Sequence, residues 1–393
     1  MSKPKLLINL NILRPPLTGI GHYTLNIVRE LLAREIDLMG IYQGAFLTRN
    51  DIQALISRLQ TSVEDARVSQ HKFRKKIITL IRAIPGAYWL KFFLQSQKIK
   101  NRLKMLANEG YVYFEPCFVP FAYPGKTITT IHDLSFIIHP EFHPKTRVDY
   151  LKNQMVKAIE YSDKLLVDSK SVLDELHQYY SQSKNKSSVL YLGVNQDFKP
   201  YHAAESQAIL ATLKLRYKSF LLSVATLEPR KNLLRLVEAY TQLPENIRND
   251  FPLVLVGDSG WKNTELFEKT AELFKKKQIR ITGYLSDDTL KKIYSAAKLF
   301  VYPSLYEGFG SPIIEAMASG TAVITSNYGA MAEVAGESAL LVDPYSIEDL
   351  TAAMLALLSN DGVCSKLGEK GMQRAAQFRW QETVEQLINE AMR

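Results

Sequence analysis

The stretch YEGFGSPIIEAMASG, at residues 306–320, contains two glutamates, Glu307 and Glu315, with two glycines and a proline between them. It directly follows KLFVYPS, at 298–304, a short apolar run with the composition of a buried strand. The second half of the stretch, PIIEAMAS, has the composition of a helix. The sequence therefore predicts a strand, a glycine-containing loop and a helix in immediate succession.

The predicted helix has recognisable ends. Ser311 stands where an N-cap is expected, Pro312 where a missing N–H costs nothing, and Gly320 where a helix commonly closes. Glycines at Gly308 and Gly310 let the backbone approach a ligand closely. A helix N-terminus beside such a loop predicts a site for phosphate or other anionic oxygens.

The position of Glu315 is compatible with two roles. A capping box with Ser311 would place its glutamate at Ile314, so Glu315 lies one position too far along the chain. It either stabilises the first helical turn through the helix dipole or accepts hydrogen bonds from two neighbouring hydroxyls, such as a ribose diol. Glu307, in the glycine-flanked loop, is a second candidate for contact with a ligand.

Short apolar runs alternate with helical patterns along most of the chain. The predicted strands lie at 5–10, 36–42, 126–134, 163–169, 187–194, 219–227, 251–258, 279–285, 298–304, 321–327 and 339–344. Several are apolar without alternation, which is typical of parallel strands covered on both faces. The sequence predicts an α/β protein with two successive parallel sheets, divided within the polar stretch 195–207. Two such domains, the first at 1–200, are expected to face each other across a cleft, where such folds bind ligands.

Composition limits the class of protein. The chain has 393 residues, which favours two domains, and its two cysteines, Cys117 and Cys364, fit neither a disulfide framework nor a zinc site. No apolar run approaches the roughly 18 residues of a membrane span, and the amino-terminal apolar run is too short for a signal peptide. A cytoplasmic protein, soluble or peripheral on the inner face of the cell membrane, is expected.

The net charge of +9 is unevenly distributed. Residues 66–108 contain eleven Lys and Arg and no acidic residue, so the rest of the chain is slightly acidic. Helical apolar spacing across 68–84 ends at Pro85 and Gly86, and a second pattern follows. These patterns predict either docking of residues 66–108 to an anionic membrane surface or two packed helices with a solvated basic face. Binding of nucleic acid is not expected, because the segment lacks a known recognition module.

ATLEPRKNL, at 225–233, follows another predicted strand and places Arg230 and Lys231 together at the start of a helix. The helix dipole disfavours cations at that end. An anionic partner such as a diphosphate therefore explains the pair better than the helix does, and a solvated basic pair is the alternative.

Two further loops are candidates. TGIGHYT, at 18–24, contains Gly19 and Gly21, but Thr24 breaks the dinucleotide-binding fingerprint, and a plain tight turn is equally compatible. TIHDLSF places His132 at a strand end, where a structural role is the commoner one. The spacing of the histidines is poor for zinc and the chain has no Asp-x-Asp, so no metal site is predicted.

Together these stretches resemble the retaining glycosyltransferases of the GT-B fold, in the large group 1 family that includes bacterial mannosyltransferases and sucrose-phosphate synthases. The resemblance covers most of the chain and is strongest at 220–344. Its most specific element is a pair of glutamates separated by seven residues, matched by Glu307 and Glu315. It implies two Rossmann-like domains, the second at 201–376, and a terminal helix at 377–393 that crosses back onto the first domain.

The resemblance also implies roles for individual residues. Glu307 and His132 would lie beside the transferred sugar, and Arg230 and Lys231 would bind the diphosphate, which gives four candidate catalytic residues. The resemblance implies further contacts with the donor. The loop that contains Gly19 and Gly21 would close over the diphosphate, and the Leu285 backbone would contact the base. Sugar hydroxyls and phosphate would bind the amides at Phe309, Gly310 and Ser311, and the ribose would bind Glu315. In one departure from the family, Ala225 stands where many members have an arginine, so phosphate neutralisation rests either on fewer charges or on one from elsewhere, such as Arg14.

The expected activity is transfer of a sugar from a nucleoside diphosphate sugar to a glycan or lipid-linked glycan, in cell-surface polysaccharide synthesis such as that of lipopolysaccharide. Retention of anomeric configuration is expected, with no cofactor and no metal ion. GDP-mannose is the donor that the motifs resemble most, and UDP- or dTDP-hexoses stay open. An epimerase or a phosphorylase of the same fold is the alternative. A phosphorylase would need a lysine that binds pyridoxal phosphate, and no such lysine is identifiable in the sequence.

Overall fold

The computed structural model describes residues 3–15, 17–65, 99–258 and 264–393. The helical patterns predicted between residues 68 and 98 lie outside the described residues.

The chain divides into two compact units. The first consists of Met1–Asp168, Val172–Tyr191 and Trp380–Arg393, and the second of Ser169–Ser171 and Leu192–Arg379. The sequence-based boundaries, at residues 200 and 376, lie nine and three residues from the divisions after Tyr191 and Arg379. The carboxyl-terminal helix belongs to the first unit.

The first unit is built on a sheet with the order β3-β2-β1-β4-β5-β6-β7 among the described residues. Its strands are β1 (Lys5–Asn9), β2 (Asp37–Tyr42), β3 (Ala45–Leu47), β4 (Val112–Glu115), β5 (Thr127–Ile131), β6 (Lys164–Val167) and β7 (Ser187–Val189). Its helices are α1 (Gly19–Leu32), α2 (Arg49–Asp65), α3 (99–108), α4 (Ser135–Ile138), α5 (Lys145–Tyr161), α6 (Lys170–Tyr179, of which the first two residues belong to the second unit) and the carboxyl-terminal α16 (Trp380–Met392).

The predicted strands of this sheet pair in parallel, and one strand that was not predicted, β3, is antiparallel. β3 pairs with β2 through a two-residue turn, Gln43–Gly44, whose φ angles are 54° and 80°. Positive φ at both positions is the geometry of a tight hairpin turn, and so short a connection permits only antiparallel pairing.

The second unit is built on a sheet with the order β10-β9-β8-β11-β12-β13, and every recorded pairing in it is parallel. Its strands are β8 (Leu221–Val224), β9 (Leu253–Val256), β10 (Ile279–Gly283), β11 (Leu299–Tyr302), β12 (Ala322–Ser326) and β13 (Leu340–Val342). Its helices are α7 (Ala203–Thr212), α8 (Leu233–Thr241), α9 (Glu245–Asp250), α10 (Thr264–Lys275), α11 (Asp287–Ala296), α12 (Ser311–Ala318), α13 (Gly329–Ala335), α14 (Ile347–Leu358) and α15 (Asp361–Ala375).

Short 3-10 turns complete the two units. They lie at Pro140–Phe142 and Ser181–Lys186 in the first unit and at Pro229–Lys231 and Gly336–Ser338 in the second. The core of the second unit is formed by apolar strand residues such as Leu221, Leu255 and Val301 packed under helices α8 and α14. Because these strands are covered on both faces, they have no polar alternation, and this is why their runs are continuous in the sequence.

All eleven predicted strands are present, each shortened at one or both ends. β3 and β4 were not predicted. β4 ends in a buried acidic residue, Glu115, which accepts hydrogen bonds from Asn9 Nδ2 at 2.6 Å and from the Tyr113 hydroxyl at 2.6 Å. Glu115 interrupts the apolar pattern of the strand. Because Asn9, a donor that compensates for its burial, is distant in sequence, the pattern alone did not predict β4.

Candidate active site

The loop after β11 and the start of α12 form the centre of the site in the second unit. Gly310 is the N-cap of α12, with φ at 94° and ψ at 48°, and Ser311 is the first helical residue. The prediction of Ser311 as the N-cap is therefore wrong. The chain turns into the helix through a left-handed conformation that glycine adopts without strain, so a serine hydroxyl cap is not needed there. The predicted end of the helix at Gly320 is confirmed. Gly320 has a φ of 70°, and its N–H donates to the Met317 carbonyl.

Glu307 is buried in this loop and accepts four hydrogen bonds. Its Oε1 atom accepts from Lys231 Nζ at 2.6 Å, the Ser304 hydroxyl at 2.6 Å and the Tyr302 hydroxyl at 2.9 Å. Its Oε2 atom accepts from Arg230 Nη1 at 2.8 Å. Since a carboxylate has about four lone-pair sites, Oε1 is saturated and Oε2 retains room for one further donor.

The two cations come from the turn after β8. Arg230 and Lys231 lie in the 3-10 turn Pro229–Lys231, directly before α8 rather than within it. Arg230 also pairs with Glu228 at 3.0 Å and donates to the Tyr306 carbonyl at 2.7 Å. The turn is thus tied to the loop after β11 by both side chains.

These four charged groups neutralise one another. Two carboxylates, Glu228 and Glu307, face two cations, Arg230 and Lys231. The two cations therefore do not require an external anion, because the chain supplies two carboxylates. Binding of a diphosphate by Arg230 and Lys231 stays a prediction.

The electrostatics of the cluster keep Glu307 ionised. Burial alone would raise the pKa of Glu307, but Arg230 and Lys231 outweigh it and hold that pKa at about 2. Burial and the neighbouring Arg230 lower the pKa of Lys231, and Glu307 opposes that shift. Glu307 is consequently a fixed negative charge that does not take up a proton near neutral pH.

Glu315 is in a different environment one turn into α12. Burial raises its pKa from 4.5 to about 7, the Tyr294 hydroxyl lowers it, and the Asp287 carboxylate raises it. Because Asp287 begins α11, immediately after the loop that contains Leu285, this loop and Glu315 lie near each other. The arrangement matches the predicted roles of Leu285 and Glu315 on one nucleoside, which stay predictions.

In the first unit His132 follows β5 and is only 6% exposed. Its Nδ1 atom lies 2.7 Å from Asp168 Oδ2, and its Nε2 atom lies 2.7 Å from the Pro116 carbonyl oxygen. Tyr23 packs edge-on against the ring at 4.8 Å and Phe118 at 6.0 Å. Burial alone would lower the pKa of His132, and Asp168 raises it.

The hydrogen bonds of His132 determine its protonation. A carbonyl oxygen only accepts, so Nε2 carries a hydrogen. Another proton lies between Nδ1 and Asp168, and the pair is neutral overall whichever atom holds that proton. His132 therefore has no free ring lone pair with which to accept a proton, which argues against a role as general base.

Gly19 and Gly21 are placed differently from the prediction. They form the first turn of α1, whose N-cap is Thr18, rather than a loop that precedes the helix. An added Cβ at Gly19 would meet no atom within 4 Å, whereas one at Gly21 would lie 3.1 Å from Leu17. Their contact with a diphosphate stays a prediction, and the helix N-terminus gives it a physical basis.

Some partners in the site were missed by sequence reasoning. Glu228 lies within the quoted stretch that contains Arg230, and Asp168 is the penultimate residue of the predicted strand 163–169, which lies beside β5. Carboxyl ends of neighbouring parallel strands converge at one edge, so polar residues at those ends could have been paired with each other in advance. Tyr302 and Ser304 carry no such signal, because hydroxyls are common in strands.

Among the described residues, no group of three or more His, Cys, Asp or Glu side chains is arranged to hold a metal ion. In the same part of the chain, no helix is both long enough and apolar enough to cross a membrane.

Comparison with known proteins agrees with this architecture. Residues 211–374 match the family model described as glycosyl transferases group 1. The chain is 31% identical over 386 residues to O-antigen chain mannosyltransferase B of Escherichia coli, with 98% of both proteins covered.

Solved structures share the fold over nearly the whole chain. HepE of Anabaena, in complex with UDP and glucose, aligns with a TM-score of 0.71 at 16% identity, covering 99% of both chains. WaaG, a glycosyltransferase involved in lipopolysaccharide biosynthesis, aligns with a TM-score of 0.71 at 15% identity, covering 98% of this chain and 99% of its own. The protein therefore has the GT-B fold, as predicted.

The chain belongs to the group 1 glycosyltransferases, and it is a glycosyltransferase.

Proposed function

We propose that this enzyme transfers mannose from GDP-mannose to a hydroxyl of a glycan or lipid-linked glycan, with retention of anomeric configuration, in the synthesis of a cell-surface polysaccharide. The observation that carries the proposal is the ion-pair cluster of Arg230, Lys231 and Glu307, in which Glu307 belongs to the loop that leads into α12. The likeness to an O-antigen chain mannosyltransferase over 98% of both chains supports mannose as the sugar.

The cluster suits departure of a nucleoside diphosphate. Negative charge grows on the leaving phosphate as the glycosidic bond breaks, and Arg230, Lys231 and the amides at Phe309, Gly310 and Ser311 are preorganised to stabilise it. Glu307 holds the two cations in place while its Oε2 atom retains room for a sugar hydroxyl.

The protonation states favour attack from the face that the diphosphate leaves. Glu307 is saturated at Oε1 and has a pKa of about 2, so it is a poor base, and its ion pairs make it a poor nucleophile. His132 has no free ring lone pair. A leaving phosphate oxygen is then the group that takes the acceptor's proton, and the sugar keeps its configuration.

A thermal-shift panel of GDP-, UDP-, dTDP- and ADP-linked sugars tests the donor site. A donor at about 100 times its dissociation constant stabilises the fold by roughly 2.7 kcal/mol, and GDP-mannose is expected to give the largest shift. The shift and the turnover are expected to persist in EDTA, since in the proposed mechanism side chains and backbone amides of the chain, and no metal ion, contact the diphosphate. A shift with none of the donors contradicts the donor site, and a strict need for added Mg²⁺ or Mn²⁺ contradicts the metal-free mechanism.

Donor affinity is expected to rise between pH 6 and pH 8 because of Glu315. Two ribose hydroxyls can both donate only to the ionised carboxylate, and its raised pKa of about 7 leaves most of it protonated at pH 6. The diphosphate diester of GDP-mannose does not titrate in this range, so titration calorimetry with the intact donor isolates the effect. Glu315→Gln is the control, and its affinity is expected to be weak and independent of pH. Equal wild-type affinities at pH 6 and pH 8 would show that Glu315 does not bind the ribose.

Docking to an anionic membrane surface through residues 66–108 is part of the proposal, and it would place the enzyme on the inner face of the cell membrane. Each Lys or Arg near such a surface contributes about 1 kcal/mol, so half of the eleven suffices for reversible binding. The protein is expected to float with liposomes that contain anionic lipid and to be released as salt is raised.

A pair of triple variants tests that segment. Replacing Arg74, Lys75 and Lys76 with glutamine is expected to reduce flotation and leave donor affinity unchanged. The same replacement at Lys275–Lys277, three exposed lysines at the end of α10, removes equal charge and is expected to change neither. Equal flotation of both variants, or none by the wild type at low salt, assigns the basic segment to an ordinary solvated face.

A further inference from the structure

Two tyrosines are exposed on the second unit, at the carboxyl edge of its sheet. Tyr328 follows β12 and is 37% exposed, and Tyr345 follows β13 and is 53% exposed. The two side chains interact with each other and with Arg235, so they form one aromatic surface that a ligand can cover. We call Tyr328, Tyr345 and the Arg235 side chain beside them the tyrosine shelf.

The shelf is held in place by its neighbours. The Arg235 guanidinium lies 5.4 Å from the centre of the Tyr345 ring and donates to Asn232 Oδ1 at 2.7 Å, which fixes it against one ring face. The Tyr345 N–H donates to Asp343 Oδ1 at 2.9 Å. The Tyr328 hydroxyl donates to the Leu305 carbonyl at 2.9 Å. Both rings are therefore ordered before any ligand arrives, which reduces the entropy lost on binding.

Direct bonds connect the shelf to the cation cluster. Leu305, which accepts from Tyr328, donates its own N–H to the Arg230 carbonyl at 2.8 Å. Asn232, next to Lys231, donates through Nδ2 to the carbonyls of Pro303 at 3.0 Å and Pro344 at 2.7 Å. The loops after β8, β11 and β13 are thereby joined into one surface.

The strand order gives the surface a direction. Adjacent strands lie about 4.8 Å apart, so the ends of β12 and β13 lie about 5 and 10 Å beyond the end of β11, whose loop carries Glu307. The predicted base contact, Leu285, follows β10 at the opposite edge of the same sheet. A donor with its base at β10 and its diphosphate between β8 and β11 directs its sugar toward the shelf.

We propose that the tyrosine shelf is a subsite for a pyranose ring of the glycan acceptor. This inference rests on the proposed function, because it takes the donor's orientation from it. A pyranose has an apolar face of C–H groups, which an aromatic ring covers, and a rim of hydroxyls, which the phenol groups and Asp343 can bond. A nucleobase would also stack on tyrosine, but the predicted base contact lies at the other edge of the sheet.

Binding of α-linked mannopentaose to the free enzyme, measured by titration calorimetry at millimolar glycan, tests the shelf. The wild type is expected to bind, Tyr345→Ala and Tyr328→Ala to weaken that binding about tenfold, and Tyr345→Trp to retain it. Donor affinity, measured in parallel, is expected to change less than about twofold. Phe274→Ala is the matched control, since Phe274 is 46% exposed but lies where α10 leads to the amino edge of the sheet.

The shelf is overturned if the wild type does not bind the glycan or if Tyr345→Ala binds it normally. It is also overturned if Phe274→Ala weakens binding as much, or if donor affinity falls in step with glycan affinity, which would assign the tyrosines to the donor. Failure of the proposed function has a different signature, namely no donor binding in the nucleotide-sugar panel.

Discussion

Glu307→Gln is expected to reduce transfer by at least about a hundredfold while strengthening the binding of GDP. The carboxylate neutralises Arg230 and Lys231, so its loss leaves two buried cations short of a counter-charge. A diphosphate supplies that charge, and we expect its affinity to rise about tenfold. Transfer falls because the carboxylate positions both cations and, in the proposed mechanism, a hydroxyl of the sugar. Steady-state kinetics and calorimetry with GDP measure the two effects.

The same variant is expected to be less stable. Removing one partner of a buried ion pair typically costs 3–5 kcal/mol, and bound GDP should restore part of that loss in a thermal melt. Glu228→Gln is the matched control, because Glu228 pairs with Arg230 in the same cluster. It too should raise GDP affinity, yet it should retain most of the transfer activity. If Glu228→Gln loses as much transfer as Glu307→Gln, or if Glu307→Gln transfers normally, Glu307 has no contact with the reacting sugar.

Lys231→Ala is expected to lower kcat by about 10²–10³-fold, the effect of deleting one preorganised group that stabilises developing negative charge. Lys231 Nζ is held by Glu307 at 2.6 Å and by the Tyr302 hydroxyl at 2.9 Å, so it is fixed before the reaction begins. Single-turnover kinetics with saturating donor separate this loss from weaker donor binding.

Lys276→Ala is the control for Lys231→Ala. Lys276 forms an exposed salt bridge with Glu245 at 2.9 Å, and its loss should change neither stability nor kcat measurably. A Lys231→Ala enzyme that turns over within a few-fold of the wild type, with a normal melting temperature, would show that the lysine does not stabilise the leaving group.

The fold was predictable where local chemistry determines it. Buried parallel strands such as β9 and β11 are continuous apolar runs, and Gly320 marks the end of α12 in the sequence as it does in the structure. β4 was missed because its Glu115 interrupts the apolar pattern, and the donors that make that carboxylate tolerable include Asn9 on another strand. Residue types in sequence order do not show such compensation.

In the site, too, local features were predictable from the sequence and contacts between distant residues were not. Glycines, glutamates and cations within one loop could be identified as a group, but their pairing across 77 positions, from Arg230 to Glu307, comes from the parallel sheet. The N-cap at Gly310 was missed because capping preferences favour Ser311, whereas the left-handed φ at Gly310 follows from the path of the loop. Asp168, which fixes the proton of His132, follows the strand next to β5, so its pairing with His132 depends on the strand order and not on either loop alone.

Transfer of labelled mannose is the most direct test of the proposed function. The enzyme is incubated with GDP-mannose carrying ¹³C at C1 and with an α-linked mannose oligosaccharide, in the presence of EDTA, and the anomeric carbon is followed by NMR. We expect release of GDP together with a new α-linked mannose, whose one-bond C1–H1 coupling identifies the retained configuration. A β-linked product contradicts retention, and transfer from another nucleotide sugar but not from GDP-mannose contradicts the donor.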